Sequence, residues 1–484
     1  MRQAPRPLIA VNPDRTLIAV AFGTEVRVFD TESGALATLE STCAFDAAAA
    51  AAREGGADAP DASRWHTDAI RALRFDSTGA SMCTAGDDKL ARVWQVGKAT
   101  GLRSDSTGAS GASGAVAPRT LTCVRCARLP KKACAATFAA GGAVAAFADK
   151  FGDVHGLPVT VTDRKHTKAH GGAAAPDEMD ESTYLFGHCC SIITAACAPC
   201  SADENAEENF SLLATADRDF KIRVARLPKD VATILDPDVG VPEIQSFCHG
   251  HAAFVACVAA VPAGQNASAR IVSGGGDGAA RLWRCEDGAA LGAVTLAAPR
   301  ARPEGDDATD ATAARLPKKE DVIATGEAPR EAVDAPAVVA VAVAASGVAY
   351  AAVENRPGEV AELRVRDDAL ELVRWVPLPD GIESVPAGLH YDETRGELLG
   401  VCEKTRPDGN AEAALFFLQQ KNADAGDAAA RALAVPGMDP GDGARPGVSL
   451  GDAMRKRGYD EQKREARKMQ RKDFKSGGAS LSNA

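Results

Sequence analysis

CTAGDDKLARVW at residues 83–94 recurs almost residue for residue as VSGGGDGAARLW at residues 272–283. Each segment has a short run ending in Thr or Ser, a tight turn ending in Asp, and a second run ending in Trp. A histidine precedes both segments: His66 lies 28 residues before Trp94, and His251 lies 32 residues before Trp283. This self-similarity predicts a repeat unit of about 40–45 residues that is built from short strands.

Each copy carries four side chains that can form one buried hydrogen-bonded chain. Buried polar groups need partners, and a fully paired network fixes a single packing. A catalytic triad is the alternative interpretation, but recurrence at the repeat spacing favours a structural role. We therefore predict two structural networks, His66, Thr84, Asp88 and Trp94 in one repeat and His251, Ser273, Asp277 and Trp283 in the other.

These segments resemble the WD repeat, whose units form the blades of a β-propeller. A third copy over residues 187–225 aligns on Asp219 and keeps Thr215 and Arg223, but Ala225 stands where the Trp is expected. Four weaker units lie at residues 7–30, 121–159, 338–376 and 382–418. Seven units predict an all-β, seven-bladed propeller over residues 1–422, followed by a flexible linker and a basic tail over residues 423–484.

Low-complexity segments interrupt the predicted blades at residues 44–62, 100–117, 165–181 and 299–335. The first is rich in Ala, which favours helix, and the others have the polar composition of exposed loops. The most apolar stretch, residues 336–353, is mostly Ala and Val and is broken by Ser346-Gly347. A membrane span needs about 20 strongly apolar residues, so we expect a buried strand pair there and no membrane association.

The charge is unevenly distributed along the chain. There are 55 basic and 66 acidic residues, a net charge of −11, which argues against a general nucleic-acid-coating surface. Residues 455–475 hold ten Lys or Arg and four Asp or Glu, so this segment carries +6 and the rest carries −17. The segment is predicted to be a mobile basic arm. The alternative is a solvated terminus with no role.

The chain has 13 cysteines, and two pairs have the spacing of zinc ligands, Cys123/Cys126 and Cys197/Cys200. One interpretation is a four-cysteine zinc site. The other is that each pair lies along a strand, where positions i and i+3 face opposite sides and cannot share one ion. We favour the second interpretation and predict no metal ligands.

No catalytic or cofactor-binding residues are predicted. A dinucleotide or S-adenosylmethionine site needs a Gly-rich turn between a strand and a helix, whereas the Gly run at residues 274–278 lies between two strands. Asp149 and Asp153 have the spacing of paired carboxylates, but they flank a turn, and Asp is a common turn residue.

Four segments resemble one family, the WD-repeat non-catalytic subunit of the eukaryotic tRNA guanine-N7 methyltransferase. They are ADKFGDV (148–154), LFGH (185–188), ATADRDFKIRV (214–224) and IQSFCHGHAAFV (244–255). The resemblance implies a nuclear heterodimer in which a separate subunit of Rossmann type binds S-adenosylmethionine and methylates N7 of a guanosine in the tRNA variable loop. This chain would stabilise and orient that subunit and would bind no cofactor itself. Phe220, where the family has an acidic residue, and His249 depart from the pattern.

The third copy also supplies the candidate partner-binding residues. Arg218 and Lys221 replace small, apolar or acidic residues of the other two copies, which suggests an acidic patch on a partner. The alternative is a solvated charged turn. The resemblance adds Asp217 and Arg223 of the same block to this prediction.

Two functions remain open from the sequence. The first is the scaffold subunit of the tRNA-modifying enzyme, with tRNA reached through the complex; the basic arm would serve tRNA phosphates, nuclear import, or both. The second is a generic WD-repeat adaptor, such as a ubiquitin-ligase substrate receptor or a chromatin scaffold.

Overall fold

The computed structural model of the chain describes residues 6–31, 38–41, 66–97, 119–159, 180–188, 192–198, 210–236, 243–262, 268–297, 335–393, 395–405, 411–419 and 430–434. The regular structure of these residues is almost entirely β-strand, arranged in seven sheets. Strands that follow each other in sequence pair antiparallel within each sheet, so each sheet is a meander. We number the sheets as blades 1 to 7 in chain order.

Blades 1 to 3 are formed by residues before 188. Blade 1 has β1 (Leu8–Val11), β2 (Leu17–Phe22) and β3 (Glu25–Asp30). A short strand, β4 (Thr38–Ser41), runs parallel to the last strand of blade 2. Blade 2 itself has β5 (Ile70–Phe75), β6 (Ser81–Gly86), β7 (Leu90–Val96) and β8 (Thr120–Arg128). Blade 3 has β9 (Ala133–Ala139), β10 (Val144–Asp149), β11 (Asp153–Pro158) and β12 (Thr183–Gly187).

Blades 4 to 7 each have four strands. Blade 4 has β13 (Ile192–Ala198), β14 (Phe210–Asp217), β15 (Ile222–Pro228) and β16 (Ile244–Cys248), with a short helix α1 (Val231–Ile234) before the last. Blade 5 has β17 (Val255–Val261), β18 (Arg270–Gly275), β19 (Ala279–Arg284) and β20 (Ala290–Thr295). Blade 6 has β21 (Val338–Val343), β22 (Val348–Val353), β23 (Glu359–Val365) and β24 (Leu370–Pro377). Blade 7 has β25 (Gly388–Asp392), β26 (Glu397–Thr405), β27 (Ala411–Gln419) and β28 (Ala430–Ala434).

The seven blades form a closed ring, which confirms the predicted propeller. The first strand of each blade contacts the first strand of the next, and β1 contacts β25 to close the circle. The core lies between neighbouring blades; at the closure, for example, Ile18 and Val20 of blade 1 pack with Leu399 and Val401 of blade 7. Burying the apolar faces of adjacent sheets against each other supplies the main driving force for the fold.

Several predicted boundaries need correction. The propeller does not end at residue 422, because β28 pairs with β27 and supplies the outer strand of blade 7. The unit predicted at residues 121–159 combines the last strand of blade 2 with three strands of blade 3. The interruption predicted to end at residue 181 already contains Asp180, whose backbone bridges Ala127. The first two interruptions and the basic tail lie outside the described residues.

The apolar segment at residues 336–353 contains the predicted strand pair. Strands β21 and β22 pair antiparallel across it, and Ser346 and Gly347 lie in the turn between them. Among the described residues, no helix is long and apolar enough to cross a membrane.

Candidate partner-binding face of blades 3 and 4

The four network residues of blade 2 form one continuous chain of hydrogen bonds. The Trp94 indole Nε1 donates to the Thr84 hydroxyl at 2.9 Å, and that oxygen lies 2.8 Å from His66 Nε2. His66 Nδ1 lies 2.8 Å from the Asp88 carboxylate. These side chains are buried, so the network locks the turn between β6 and β7 onto the loop that enters the blade.

Blade 5 contains the same chain. Trp283 Nε1 donates to the Ser273 hydroxyl at 2.7 Å, which lies 2.8 Å from His251 Nε2, and His251 Nδ1 lies 3.0 Å from the Asp277 carboxylate. Burial by itself raises the pKa of Asp277, but the His251 and Arg281 charges outweigh burial and hold that pKa at about 2. The carboxylate is therefore ionised at neutral pH and serves the fold.

Blade 4 uses a different aspartate from the one that the alignment indicates. His188 Nε2 lies 2.7 Å from the Thr215 hydroxyl, and His188 Nδ1 lies 3.1 Å from Asp217, not from Asp219. The second oxygen of Asp217 accepts the backbone N–H groups of Asp219 and Lys221. This buried carboxylate therefore has a structural role in its own blade, and its predicted role in partner binding stays a prediction.

Arg223 also belongs to the fold. Its side chain is buried, a guanidinium N–H donates to the Gly187 carbonyl at 3.1 Å, and the guanidinium lies 4.3 Å from the ring centre of Phe186. Arg92 and Arg281 occupy the same place on the third strands of blades 2 and 5 and are likewise buried. Arg223 thus lies at the contact between blades 3 and 4, and its predicted role at a partner surface stays a prediction.

Arg218 and Lys221 remain at the surface of the turn between β14 and β15. Arg218 is half-buried and Lys221 is exposed. Burial and, after it, the charge of Lys221 lower the pKa of His249, which lies in the loop that enters blade 5. In a four-stranded meander, the turn between the second and third strands and the loop into the next blade lie on the same face. Both cations therefore belong to that face of the propeller.

Phe220, a departure from the family pattern, has a packing role. Its φ of 71° lies in the left-handed region, where the corresponding residue of blade 5 is Gly278 with φ of 72°. The ring is half-buried and packs against the apolar cluster that contains Phe254 of the neighbouring blade. Phe220 thus anchors the turn that carries Lys221 to this apolar cluster.

The equivalent turn of blade 3 presents an aromatic ring on the same face. Phe151 is 63% exposed, and the Lys131 ammonium lies 4.6 Å from its ring centre. We call Lys131, Phe151, Arg218 and Lys221 the docking face. Lys131 and Phe151 were not predicted from the sequence; the available signal for Phe151 was an apolar residue inside the polar turn of ADKFGDV.

A cluster of ionic contacts around the buried Asp87 lies next to the turn that carries Phe151. The Asp87 carboxylate contacts Arg71 at 2.8 Å, Lys150 at 3.0 Å and Lys132 at 3.5 Å. Burial raises the pKa of Asp87, but the Arg71 and Lys150 contacts outweigh it, so the pKa lies below its ordinary value. The cluster joins the turn of blade 2 to the turn of blade 3, because Lys150 directly precedes Phe151.

The region that contains the Arg218–Lys221 turn is similar to a known protein family. Residues 164–348 match the family model described as the tRNA methyltransferase TRM82 WD40 domain, and residues 63–95 match the WD domain, G-beta repeat. The predicted family resemblance is confirmed. The TRM82 match spans β12 to β21, so it includes the blade 4 turn but not the blade 3 turn.

Curated relatives carry the same family name. The tRNA (guanine-N(7)-)-methyltransferase non-catalytic subunit wdr4 of Dictyostelium discoideum is 24% identical over 61% of this chain and 50% of its own length. The corresponding subunit trm82 of Aspergillus clavatus is 27% identical over 49% of this chain and 49% of its own. The chain thus spans about half the length of these relatives. Their names agree with the prediction of a non-catalytic protein. Among solved structures, U3-55K aligns with a TM-score of 0.48 and 14% identity over 83% of this chain and 89% of that chain.

The remaining sequence candidates have structural explanations. An extra residue in β8 opposite Val93 and Trp94 shifts the strand register, and Cys123 and Cys126 both pack beside Leu90. The expectation that this pair faces opposite sides is therefore wrong. Among the described residues, only Asp149, Asp153 and His155 form a group of three ligands suited to a metal ion. Cys197 and Cys200 have no described side chains.

Proposed function

We propose that this chain is the scaffold subunit that binds and stabilises the catalytic subunit of a tRNA guanine-N7 methyltransferase. The observation that carries the proposal is the TRM82 match over residues 164–348, which contains two of the four residues of the docking face. Catalysis and S-adenosylmethionine binding belong to the partner in this proposal. We also propose that the chain functions in the nucleus, as the family resemblance implies.

The chemistry of the docking face suits an acidic partner surface with an apolar centre. Lys221 and Lys131 place positive charge on the docking face, whereas the chain as a whole has a net charge of −11. Complementary charges speed association and fix the orientation of two proteins. An exposed aromatic ring such as Phe151 is the kind of side chain that supplies much of the binding energy when an interface covers it.

The turns also lie on a rigid support. Asp217 ties the blade 4 turn to His188, Phe220 packs it on blade 5, and Asp87 ties the blade 3 turn to blade 2. A partner that binds such a surface loses little free energy to ordering it. The propeller would then hold the catalytic subunit in one orientation without entering the reaction.

The direct test is the charge-reversed variant Arg218→Glu/Lys221→Glu, measured for affinity to the catalytic subunit. Removing one partner of a buried interfacial charge pair costs about 2–5 kcal/mol, so two reversals should weaken binding at least about a hundredfold. Lys221→Glu alone should produce part of this loss, and it serves if the double variant fails to fold.

Lys229→Glu is the matched control. Lys229 is exposed and follows β15 of the same blade, at the opposite end from Lys221. The control should bind like the parent and melt like it. Unchanged affinity of the double variant, with unchanged melting, would remove Arg218 and Lys221 from the interface.

A further inference from the structure

The turns of blades 3 and 4 are built on one plan. Asp149 ends β10 as Asp217 ends β14, and each uses one carboxylate oxygen to accept backbone N–H groups of its turn. For Asp149 the donors are the N–H groups of Phe151, Gly152 and Asp153, at 2.8–3.2 Å. This is the turn role that the sequence predicts for Asp149.

The second carboxylate oxygen distinguishes the two blades. In blade 4, Asp217 Oδ2 lies 3.1 Å from His188. In blade 3, Asp149 Oδ2 is buried and has no hydrogen-bond partner among the described residues. An unpaired buried carboxylate oxygen lowers the stability of the fold, so a cation that bound to this oxygen would stabilise it.

The side chain of His155, which lies next to Asp149, also has a buried atom without a hydrogen bond to a described residue. His155 stands on β11 where blade 4 has Arg223 and is 5% exposed, and in the part of the chain that the structure describes its Nε2 has no hydrogen-bond partner. Nε2 lies 3.9 Å from Asp149 Oδ2, which is too long for a hydrogen bond. Two ligands of one tetrahedral zinc ion, with bonds of about 2.1 Å, are about 3.4 Å apart. The observed separation is therefore closer to that of two ligands sharing an ion.

Asp153 completes a set of three. It begins β11 two residues before His155, so both side chains extend from the same side of the strand. One ligand atom from each of Asp149, Asp153 and His155 lies within 4.8 Å of the other two. Asp153 is half-buried, in contrast to the other two, which leaves a path for an ion to enter.

We propose that Asp149, Asp153 and His155 bind one zinc ion beneath the turn at residues 150–152. Two carboxylates and an imidazole suit a first-row transition ion, whereas calcium and magnesium prefer oxygen ligands alone. The ion would join the ends of β10 and β11 and would bond both Asp149 Oδ2 and His155 Nε2. A water molecule would take the fourth position on the open side.

The test uses the full chain, treated with a chelator, dialysed, and titrated with Zn²⁺ by calorimetry. We expect one ion per chain and an increase in melting temperature with Zn²⁺, because an ion that binds the folded state stabilises it. Asp153→Asn and His155→Gln should each weaken binding at least about tenfold. Asp149 is left intact because it also holds the turn.

Cys123→Ser/Cys126→Ser is the matched control, since this pair has the spacing of zinc ligands, and it should bind like the parent. Co²⁺ provides an independent measurement: the proposed site gives visible d–d absorption without the sulfur-to-cobalt charge-transfer band of a cysteine site. Absence of Zn²⁺ binding by the parent chain would overturn the proposal. So would binding that persists in His155→Gln, or binding that disappears in the cysteine variant.

Discussion

Asp217→Ala is predicted to destabilise the propeller, whereas Asp219→Ala is predicted to leave its stability nearly unchanged. Loss of the Asp217 carboxylate leaves the ring N–H of His188, 4% exposed, without its acceptor, at a cost of about 1–3 kcal/mol. The backbone N–H groups of Asp219 and Lys221 lose hydrogen bonds of 2.9 and 3.1 Å. Together these losses amount to about 2–6 kcal/mol. Asp219 is exposed, and such surface changes usually stay within about 0.5 kcal/mol.

Urea unfolding followed by tryptophan fluorescence and by circular dichroism measures both variants against the parent. Asp217→Ala should lower the urea midpoint with an unchanged slope, which indicates a loss of stability without a change in the surface exposed on unfolding. If Asp219→Ala were the more destabilised variant, the alignment would be right and the hydrogen-bond assignment in blade 4 would be refuted.

Three further outcomes are expected. Trp283→Ala should cost about 3–5 kcal/mol of stability, and the half-buried Trp375 is the control that should cost less in the same melting assay. Burial lowers the pKa of His390 to about 4 in the folded protein, whereas the unfolded value is about 6.5. The free energy of unfolding should therefore be highest above about pH 6.5 and should decrease as the pH falls from there towards 4. His390→Gln should make the melting temperature less dependent on pH across this range. Deleting residues 454–484 should leave the heterodimer intact and reduce the salt dependence of tRNA binding by about 0.9 for each lost phosphate contact; an identical salt slope would leave the basic arm without this role.

The sequence predicts the architecture well because the fold repeats. Trp94 and Trp283 end equivalent strands, and the spacing from each Trp back to its His is a local pattern that one chain displays twice. The seven-bladed ring follows from such patterns and from the alternation of apolar runs. The end of the propeller was harder to predict, because β28 is Ala-rich and follows a segment with no apolar periodicity.

The sites of blade 4 could be predicted only in part. ATADRD contains two aspartates near the turn, and spacing from Thr215 selects Asp219 because blades 2 and 5 have their Asp four residues after the hydroxyl. Which carboxylate reaches His188 depends on the path of the loop that enters the blade, which has no local signal. The exposure of Phe151 depends equally on tertiary structure, since Lys131 comes from a different loop.

The network has two arrangements, and they exclude each other. In blade 5, Gly275 stands at the position of Asp217, and a Cβ there would lie 2.6 Å from His251 Nδ1 and 2.8 Å from Asp277. An aspartate at this position and one inside the turn therefore compete for the same histidine. In blade 4, Asp217 bonds to His188, so Asp219 inside the turn does not bond to that ring. Blade 3 also ends its second strand in an aspartate, Asp149, but the nearest histidine to its second oxygen is His155 of β11 and not a histidine in the loop that enters the blade.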